Sequence, residues 1–214
     1  MQPFIRHRGI VAPLDRANVD TDQIIPKQFL KSIRRTGFGE SLFFDWRYGP
    51  EGDPDPGFEL NAPRYQGASI LVTRNNFGCG SSREHAVWAV MQYGFRVVIA
   101  PARVADTGTV PAFADIFRNN AVRNGLLTVD LSEEEVETIL RAIRASPGLE
   151  AEVDLDTQTV TLSGSSGQKY RFEIDPGVRQ ALREGLDEIT ETLRFETDIA
   201  AFEKMHHAQR PDIH

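Results

Sequence analysis

Cysteine is almost absent from the chain, since Cys79 is the only one among 214 residues. A single cysteine excludes an internal disulfide and any metal centre that needs several thiolates from this chain. The five histidines do not show the spacing of a metal site either. We therefore expect the chain to bind no metal by itself, and any cluster chemistry in which it takes part needs ligands from another polypeptide.

Positive charge and long apolar runs are also scarce. The 24 lysines and arginines face 31 acidic residues, which gives a formal net charge of -7. Phosphate binding needs a dense basic surface, so this balance argues against a nucleic-acid or anionic-membrane partner. No apolar run approaches the roughly 20 residues of a membrane helix, and the N-terminus lacks the apolar core of a signal peptide. These absences predict a cytoplasmic protein.

Strand and helix signals alternate between residues 9 and 145. Helices of this length between strands favour parallel pairing in a mixed α/β layer. The last helix of the series begins with a capping-box pattern, Ser132 followed by Glu135. The predicted strands are Gly9–Leu14, Ser69–Thr73, Arg96–Ala100 and Leu126–Leu131, and the predicted helices are Ser81–Tyr93, Phe113–Asn124 and Ser132–Ala145.

Beyond Pro147 the pattern changes. Residues Glu152–Leu162 alternate, the chain breaks at Ser163–Gly167, and Tyr170–Ile174 resumes the strand pattern, which predicts a hairpin. Pro176 is placed at the first turn of a helix predicted to reach Leu193. We expect an α/β domain at residues 1–146, a hairpin and helix packed on it at 147–200, and a flexible tail at 201–214 that includes the adjacent histidines at 206 and 207.

A glycine-rich turn, N-F-G-C-G-S-S-R-E-H-A at residues 76–86, is typical of an anion site. Gly78 and Gly80 allow positive φ angles and a close approach of the backbone to a ligand. A helix that begins at the serines would present its free N–H groups and positive dipole end to the turn. Ser82 adds a hydroxyl, and Arg83 adds a planar donor fork that suits a carboxylate. The turn therefore predicts a small polyanion as ligand, either a carboxylate or a phosphate.

A purely structural interpretation of the same residues is open as well. Ser81 and Glu84 satisfy the capping-box spacing, so both side chains could serve only to begin a helix. The turn lacks the third glycine of a dinucleotide fingerprint and the Gly-Lys-Ser/Thr of a Walker loop. Residue chemistry alone leaves catalysis and capping as alternatives.

Several separated motifs resemble one protein family. The turn is similar to the signature of the small subunits of isopropylmalate dehydratases, in the aconitase superfamily. The resemblance extends in order over nearly the whole chain, through D-R-A-N-V-D-T-D-Q-I-I-P-K-Q-F-L-K at 15–31, T-G-F-G at 36–39, F-F-D-W-R at 43–47, R-V-V-I-A-P at 96–101 and F-A-D-I-F-R-N-N at 113–120. It implies a swivelling β/β/α domain that closes over a cluster-bearing partner, with a C-terminal extension like that of the longer bacterial form.

The resemblance assigns roles to individual residues. It implies that Ser81 is the catalytic base, acting as an alkoxide, that Ser82 helps to hold the substrate, and that Arg83 clamps a carboxylate. Arg16 matches a second substrate-binding arginine. A serine hydroxyl is a poor base unless cations and a helix dipole stabilise its alkoxide. Two arginines suit a substrate with two carboxylates.

Other polar residues are weaker candidates. The basic segment with Arg34, Arg35, Thr36 and Gly37 is a candidate loop for recognising the alkyl group of the substrate, although solvated surface is the alternative for its arginines and for Arg47. Capping or turn roles are favoured over catalysis for Asp20 and Asp22. We interpret His85 as a packing or supporting residue and Cys79 as a small packing residue.

The activity that the resemblance implies is a hydro-lyase reaction. It would convert 2-isopropylmalate to 3-isopropylmalate by dehydration and rehydration in leucine biosynthesis, in a heterodimer or larger complex with a large subunit. A 4Fe–4S cluster needs three cysteines, so the large subunit would have to carry it. A homoaconitase, methylmalate or dimethylmalate dehydratase subunit is an alternative within the same class. A non-catalytic binding module is an alternative outside it.

Overall fold

The computed structural model describes residues 1–31, 35–81, 83–105, 108–164, 167–186 and 188–209. The strands are β1 Arg6–Leu14, β2 Ile70–Thr73, β3 Val97–Pro101, β4 Arg103–Ala105, β5 Gly108–Val110, β6 Leu127–Leu131, β7 Glu150–Asp154, β8 Thr159–Leu162 and β9 Lys169–Arg171. The α-helices are α1 Thr21–Ile24, α2 Phe44–Arg47, α3 Glu84–Tyr93, α4 Asp115–Asn124, α5 Glu133–Ala145, α6 Pro176–Glu184, α7 Glu188–Leu193 and α8 Glu196–Gln209. Short 3-10 turns at Lys27–Lys31, Gly39–Ser41, Glu59–Asn61 and Pro63–Tyr65 complete the regular structure.

One mixed sheet organises the fold, with strand order β6-β3-β2-β1-β7-β8-β9. Strands β6, β3, β2 and β1 run parallel, whereas β7, β8 and β9 join as antiparallel neighbours. Strands β2 and β3 are buried at every position, as expected of parallel strands covered on both faces. The predicted mixed α/β class is confirmed, and the strands expected before residue 146 lie where the apolar runs placed them.

Helix α5 shows how the sequence covers this sheet. The Ser132 hydroxyl accepts a hydrogen bond from the Glu135 N–H, and the Glu135 carboxylate accepts one from the Ser132 N–H, so the predicted capping box is confirmed. Val136, Ile139 and Leu140 are fully buried at helical spacing and face the parallel strands. Burial of each such side chain contributes about 2 kcal/mol.

The hairpin predicted after Pro147 is present between β8 and β9, but the alternating run before it forms two strands and not one. Residues 150–171 form a three-stranded antiparallel meander, because a turn between Asp154 and Thr159 divides the alternating run. The Asp154 carboxylate accepts a hydrogen bond from the Thr157 N–H at 2.8 Å, and Gln158 has a φ of 53°. Strand β7 pairs with β1, so this segment extends the main sheet. The division of the chain at residue 146 stays a prediction.

The C-terminal helices also differ from the expected pattern. The predicted helix from Pro176 to Leu193 is interrupted after Glu184, because Gly185 adopts a left-handed φ of 67° and ends α6. Residues 201–209, predicted as a flexible tail, belong to α8, where alanine, glutamate, lysine and methionine favour the helix. The last five residues lie outside the described ranges. No helix in those ranges has the length and apolar character needed to cross a membrane.

The carboxyl ends of the parallel strands lie at one edge of the sheet. Leu14 at the end of β1 is in register with Thr73 at the end of β2. The segments that follow, Asp15–Ile25 and Arg74–Arg83, therefore begin side by side. In open α/β sheets this edge is where ligands bind, so the two sequence motifs meet at the expected place.

Candidate functional site

The glycine-rich turn is held by backbone hydrogen bonds on both of its sides. On one side it pairs with residues 19–21, and on the other side with residues 111–114, whose own backbone continues into α4. The bonds are Gly78 N–H to Val19 O at 2.8 Å, Thr21 N–H to Cys79 O at 2.9 Å, Asn76 N–H to Pro111 O at 2.8 Å and Phe77 N–H to Ala112 O at 3.0 Å. The Thr21 hydroxyl also donates to Ser81 O at 2.9 Å. The turn is thus fixed by its neighbours.

The two glycines of the turn differ in their structural roles. Gly78 is buried with a φ of 76°, and a Cβ added there would lie 2.3 Å from the Phe117 ring. Only glycine allows the turn to contact α4 so closely. Gly80 is exposed with a φ of 88°, and a Cβ there would meet Asp20 at an ordinary 3.5 Å. Backbone conformation therefore requires glycine at position 80, and an anion-cradling role for either glycine stays a prediction.

Ser81 lies before the helix and does not cap it. Helix α3 begins at Glu84 with Arg83 as its N-cap, and that cap makes no side-chain hydrogen bond. Both the expected helix start at the serines and the capping box of Ser81 with Glu84 were wrong. Gly80 has a left-handed φ, the Thr21 hydroxyl donates to Ser81 O, and Glu84 instead accepts a hydrogen bond from the Asn124 amide at 2.9 Å. The Ser81 side chain is exposed, whereas Ser82 lies outside the described residues.

Arg83 forms an ion pair that the sequence did not reveal. Its Nη1 donates to the Asp22 carboxylate from the first turn of α1. The Arg83 side chain is only 13% exposed, against 41% for Asp22, so the guanidinium is largely covered. Asp20 performs the capping that was expected of both aspartates, in a capping box with Gln23. One aspartate is enough to cap α1. The second aspartate of D-T-D, Asp22, was therefore the feature of the sequence that could have indicated a charge partner for an arginine.

Arg16 lies on an aromatic surface at the same edge of the sheet. Its guanidinium carbon is 4.4 Å from the Trp46 ring centroid and 5.2 Å from that of Phe58, which indicates cation–π contacts. Its Nη2 lies 3.4 Å from a Glu59 carboxylate oxygen. The Thr73 hydroxyl donates to the Arg16 carbonyl at 3.1 Å, which fixes the backbone at the end of β2. Both predicted substrate-binding arginines in the described residues thus have a carboxylate neighbour.

The candidate selectivity loop lies along the outer face of α3. The Gln92 amide contacts the loop backbone at two points, and Phe38 packs against His85 and Trp88 with ring centroids 5.2 and 5.8 Å away. The Arg35 guanidinium lies 6.0 Å from the Trp88 ring centroid. Arg35, Thr36 and Gly37 are exposed, and Arg34 lies outside the described residues. The contacts of His85 agree with the packing role expected for it.

Cys79 is half-buried within the turn. Burial raises the pKa of its thiol, and the nearby Asp20 carboxylate raises it further, so the neutral thiol is favoured. In the described ranges no group of three His, Cys, Asp or Glu side chains is arranged to hold a metal ion. These observations agree with a packing role for Cys79.

One cleft among the described residues lies apart from the glycine-rich turn. It has a volume of about 610 Å³ and is lined by Thr36, Gly37, Gly39, Glu40, Arg47, Gln92 and Tyr93. Those residues surround the C-terminal end of α3, whereas Ser81 precedes its N-terminal end. At 1.5 Å per residue the helix separates the two ends by about 14 Å. The cleft and the exposed Ser81 therefore lie at opposite ends of α3.

Nearly the whole chain is similar to proteins of one known family. The family model for the aconitase C-terminal domain matches residues 1–134, and a second model, described as LeuD_N, matches residues 137–176. The 3-isopropylmalate dehydratase small subunit of Desulforapulum autotrophicum is 57% identical over 211 residues, which cover 99% of this chain and 97% of that protein. A crystal structure of 3-isopropylmalate dehydratase from Methanocaldococcus jannaschii has the same fold, with a TM-score of 0.62 at 23% identity, over 93% of this chain and 99% of that one. The chain belongs to the family of 3-isopropylmalate dehydratase small subunits.

Proposed function

We propose that this chain is the small subunit of a hydro-lyase that isomerises 2-isopropylmalate to 3-isopropylmalate in leucine biosynthesis. The observation that carries the proposal is the 57% identity to a small subunit of that enzyme along nearly the full length of both chains. The complete Ser81-Ser82-Arg83 sequence at the carboxyl edge of the sheet supports it, because a binding module has no need of a base beside a carboxylate clamp.

In this proposal Ser81 removes the proton from the carbon next to a substrate carboxylate. The exposed hydroxyl is not occupied by a helix cap, so it is available to the substrate. The Arg83 guanidinium and the free N–H groups at the beginning of α3 supply positive potential, which favours the alkoxide. The isomerisation would be complete when, after rotation of the unsaturated intermediate, the proton is added to the carbon that lost hydroxide and hydroxide is added to the carbon that lost the proton.

Arg83 has donors available for a substrate carboxylate. Among the described residues its bonded carboxylate partner is Asp22, which contacts Nη1. That leaves the edge formed by Nε and Nη2 for a bidentate bond to the substrate. Asp22 would then hold the guanidinium in the correct plane. Ser82 and Arg16 are proposed to hold the rest of the dicarboxylate, with Arg16 giving up its long 3.4 Å contact to Glu59.

The proposal requires a large subunit, in a heterodimer or a larger complex in the cytoplasm. This chain has one cysteine and so cannot supply the three that a 4Fe–4S cluster needs. A cluster on the large subunit would supply the Lewis acid for the departing hydroxide. Residues 1–146 would act as the swivelling domain that closes over that partner with the exposed Ser81 facing it.

Co-expression with the candidate large subunit, followed by an anaerobic assay of 2-isopropylmalate dehydration, tests the proposal. We expect a stable complex that forms the unsaturated intermediate only when both chains are present. A complex that accepts only homoaconitate, methylmalate or dimethylmalate would assign the chain to a related dehydratase. Failure of the two chains to associate would contradict the proposal and favour a non-catalytic binding module.

A further inference from the structure

The side-chain amide of Gln92 joins the two ends of one short segment of the candidate selectivity loop. Its Nε2 donates to the Arg35 carbonyl at 2.8 Å, and its Oε1 accepts from the Phe38 N–H at 2.9 Å. Between those two points Gly37 has a φ of 94°, so the backbone makes a tight change of direction there. Both polar atoms of the amide are thus used on one turn of the loop.

Phe38 and Gly39 also contact α3, and these contacts hold the loop in the same position as the Gln92 hydrogen bonds do. Phe38 is buried against the rings of His85 and Trp88, which lie two turns and one turn, respectively, before Gln92 on the same face. Gly39 approaches the helix so closely that an added Cβ would lie 2.6 Å from the Gln92 carbonyl. The segment Arg35–Gly39 is therefore packed against α3 along two turns of the helix.

The same helix begins at the catalytic turn. Arg83 is the N-cap of α3, and Gln92 is nine residues further along the chain. A helix of that length is rigid, and it sets a fixed separation of about 14 Å between the two residues. The position of the loop relative to the carboxylate clamp is consequently set by α3 and by the residues that attach the loop to it.

We propose that Gln92 is a positioning residue for substrate selection, which holds the loop at Arg35–Phe38 where it recognises the alkyl group of the substrate. The inference rests on the proposed function. Alkyl groups that differ by one or two carbons differ in binding free energy by only about 1–3 kcal/mol. To distinguish them, the residues that contact the alkyl group must be held in a fixed position. Without the clamp the loop samples several positions, and the contact with the alkyl group weakens while the chemistry at Ser81 continues.

The test uses the reconstituted two-subunit enzyme with 2-isopropylmalate and the smaller 2-methylmalate as substrates. In Gln92→Met, which keeps the length of the side chain but removes both hydrogen bonds, we expect the ratio of the two kcat/KM values to shift about tenfold toward the smaller substrate. The change should appear in KM for 2-isopropylmalate, with kcat within about twofold of wild type. Gln92→Glu keeps the acceptor for Phe38 and loses the donor to Arg35, so its shift should be smaller.

Gln180→Met is the matched control, because Gln180 is exposed on α6 and its side-chain amide donates to Glu184 of the same helix at 3.1 Å. We expect no change in the ratio for this variant. Hydrogen exchange of the peptide covering residues 35–39 provides a readout independent of activity, and it should become faster in Gln92→Met alone.

Faster exchange together with an unchanged substrate ratio would overturn the positioning role, and unchanged exchange would overturn the clamp itself. If the wild-type enzyme turns over neither substrate, the proposed function fails and the selectivity role fails with it. The exchange result would in that case still decide whether Gln92 fixes the segment.

Discussion

Arg83 and Asp22 form the pair on which the candidate site depends at the scale of single residues. The Arg83 side chain is almost covered, whereas the Asp22 side chain is 41% exposed and also lies 3.6 Å from Lys27. A buried guanidinium needs its partner for orientation, since its donors form a fixed fork. The surface contact with Lys27 should contribute little, as is usual for exposed ion pairs.

Two substitutions test that pair in the reconstituted enzyme. We expect Arg83→Lys to lower kcat/KM for 2-isopropylmalate by about 10²-fold, because a lysine cannot bond a carboxylate through two donors. Asp22→Asn should lower it by about tenfold, since the guanidinium loses its charged anchor. Lys27→Ala is the control and should leave the kinetics unchanged. An Asp22→Asn enzyme that is more active than wild type would show instead that Asp22 competes with the substrate for Arg83.

At the scale of secondary-structure elements, the Asp15 side chain connects β1, β2 and α5. Asp15 follows β1 and accepts hydrogen bonds from Arg74, which follows β2, and from Arg144 in α5. Arg74 also donates to Glu137 of α5 at 2.6 Å. Asp15 immediately precedes Arg16, so this network fixes the backbone that carries a predicted substrate-binding residue.

The network gives a prediction about stability and pH. The hydrogen bond from Arg74, and then that from Arg144, lower the pKa of Asp15 below its ordinary value. A carboxylate with a depressed folded-state pKa contributes stability above its unfolded pKa of about 3.9, and that contribution is lost as the pH falls through the folded-state pKa. We expect Asp15→Asn to lower the free energy of unfolding by about 2 kcal/mol at pH 7, with a smaller difference near pH 3.

Urea denaturation of the isolated chain at several pH values measures this effect. Asp45→Asn, at an exposed position in α2, is the matched control and should change little. A loss for Asp15→Asn that is equal at pH 7 and pH 3 would contradict an electrostatic origin.

How far the sequence predicted the structure differs from element to element. The apolar runs of β2 and β3 and the capping box of α5 are local signals, and each predicted its element correctly. The turn inside Glu150–Leu162 was missed, although the apolar alternation changes phase there, from Val153 and Leu155 before the turn to Val160 and Leu162 after it. The start of α3 was misplaced, because the bond from Thr21 that holds Ser81 comes from a residue 60 positions earlier.

The same distinction applies to the site. The glycine-rich turn could be found from its motif, whereas its partners could not. Asp22 and Glu59 reach the two arginines through the fold, at separations of 61 and 43 residues. The clamp from Gln92 to the loop spans 54 residues to Phe38 and left no local pattern in the sequence.

At the scale of the whole molecule, the proposed function implies that this chain carries only part of the active site. Ser81 is exposed, and the cleft beside the candidate selectivity loop lies at the other end of α3. Carbanion chemistry needs a site from which water is largely excluded. The proposed large subunit would supply that closure as well as the cluster.

The most direct measurement compares turnover and assembly for Ser81→Ala in the reconstituted enzyme, with the exposed Ser146→Ala as control. We predict that Ser81→Ala lowers kcat for 2-isopropylmalate by about 10²-fold or more, because the base is removed, while the complex with the large subunit forms with wild-type affinity. Ser146→Ala should retain wild-type turnover and assembly. Unchanged turnover in an intact Ser81→Ala complex would contradict the role of this chain as the source of the catalytic base.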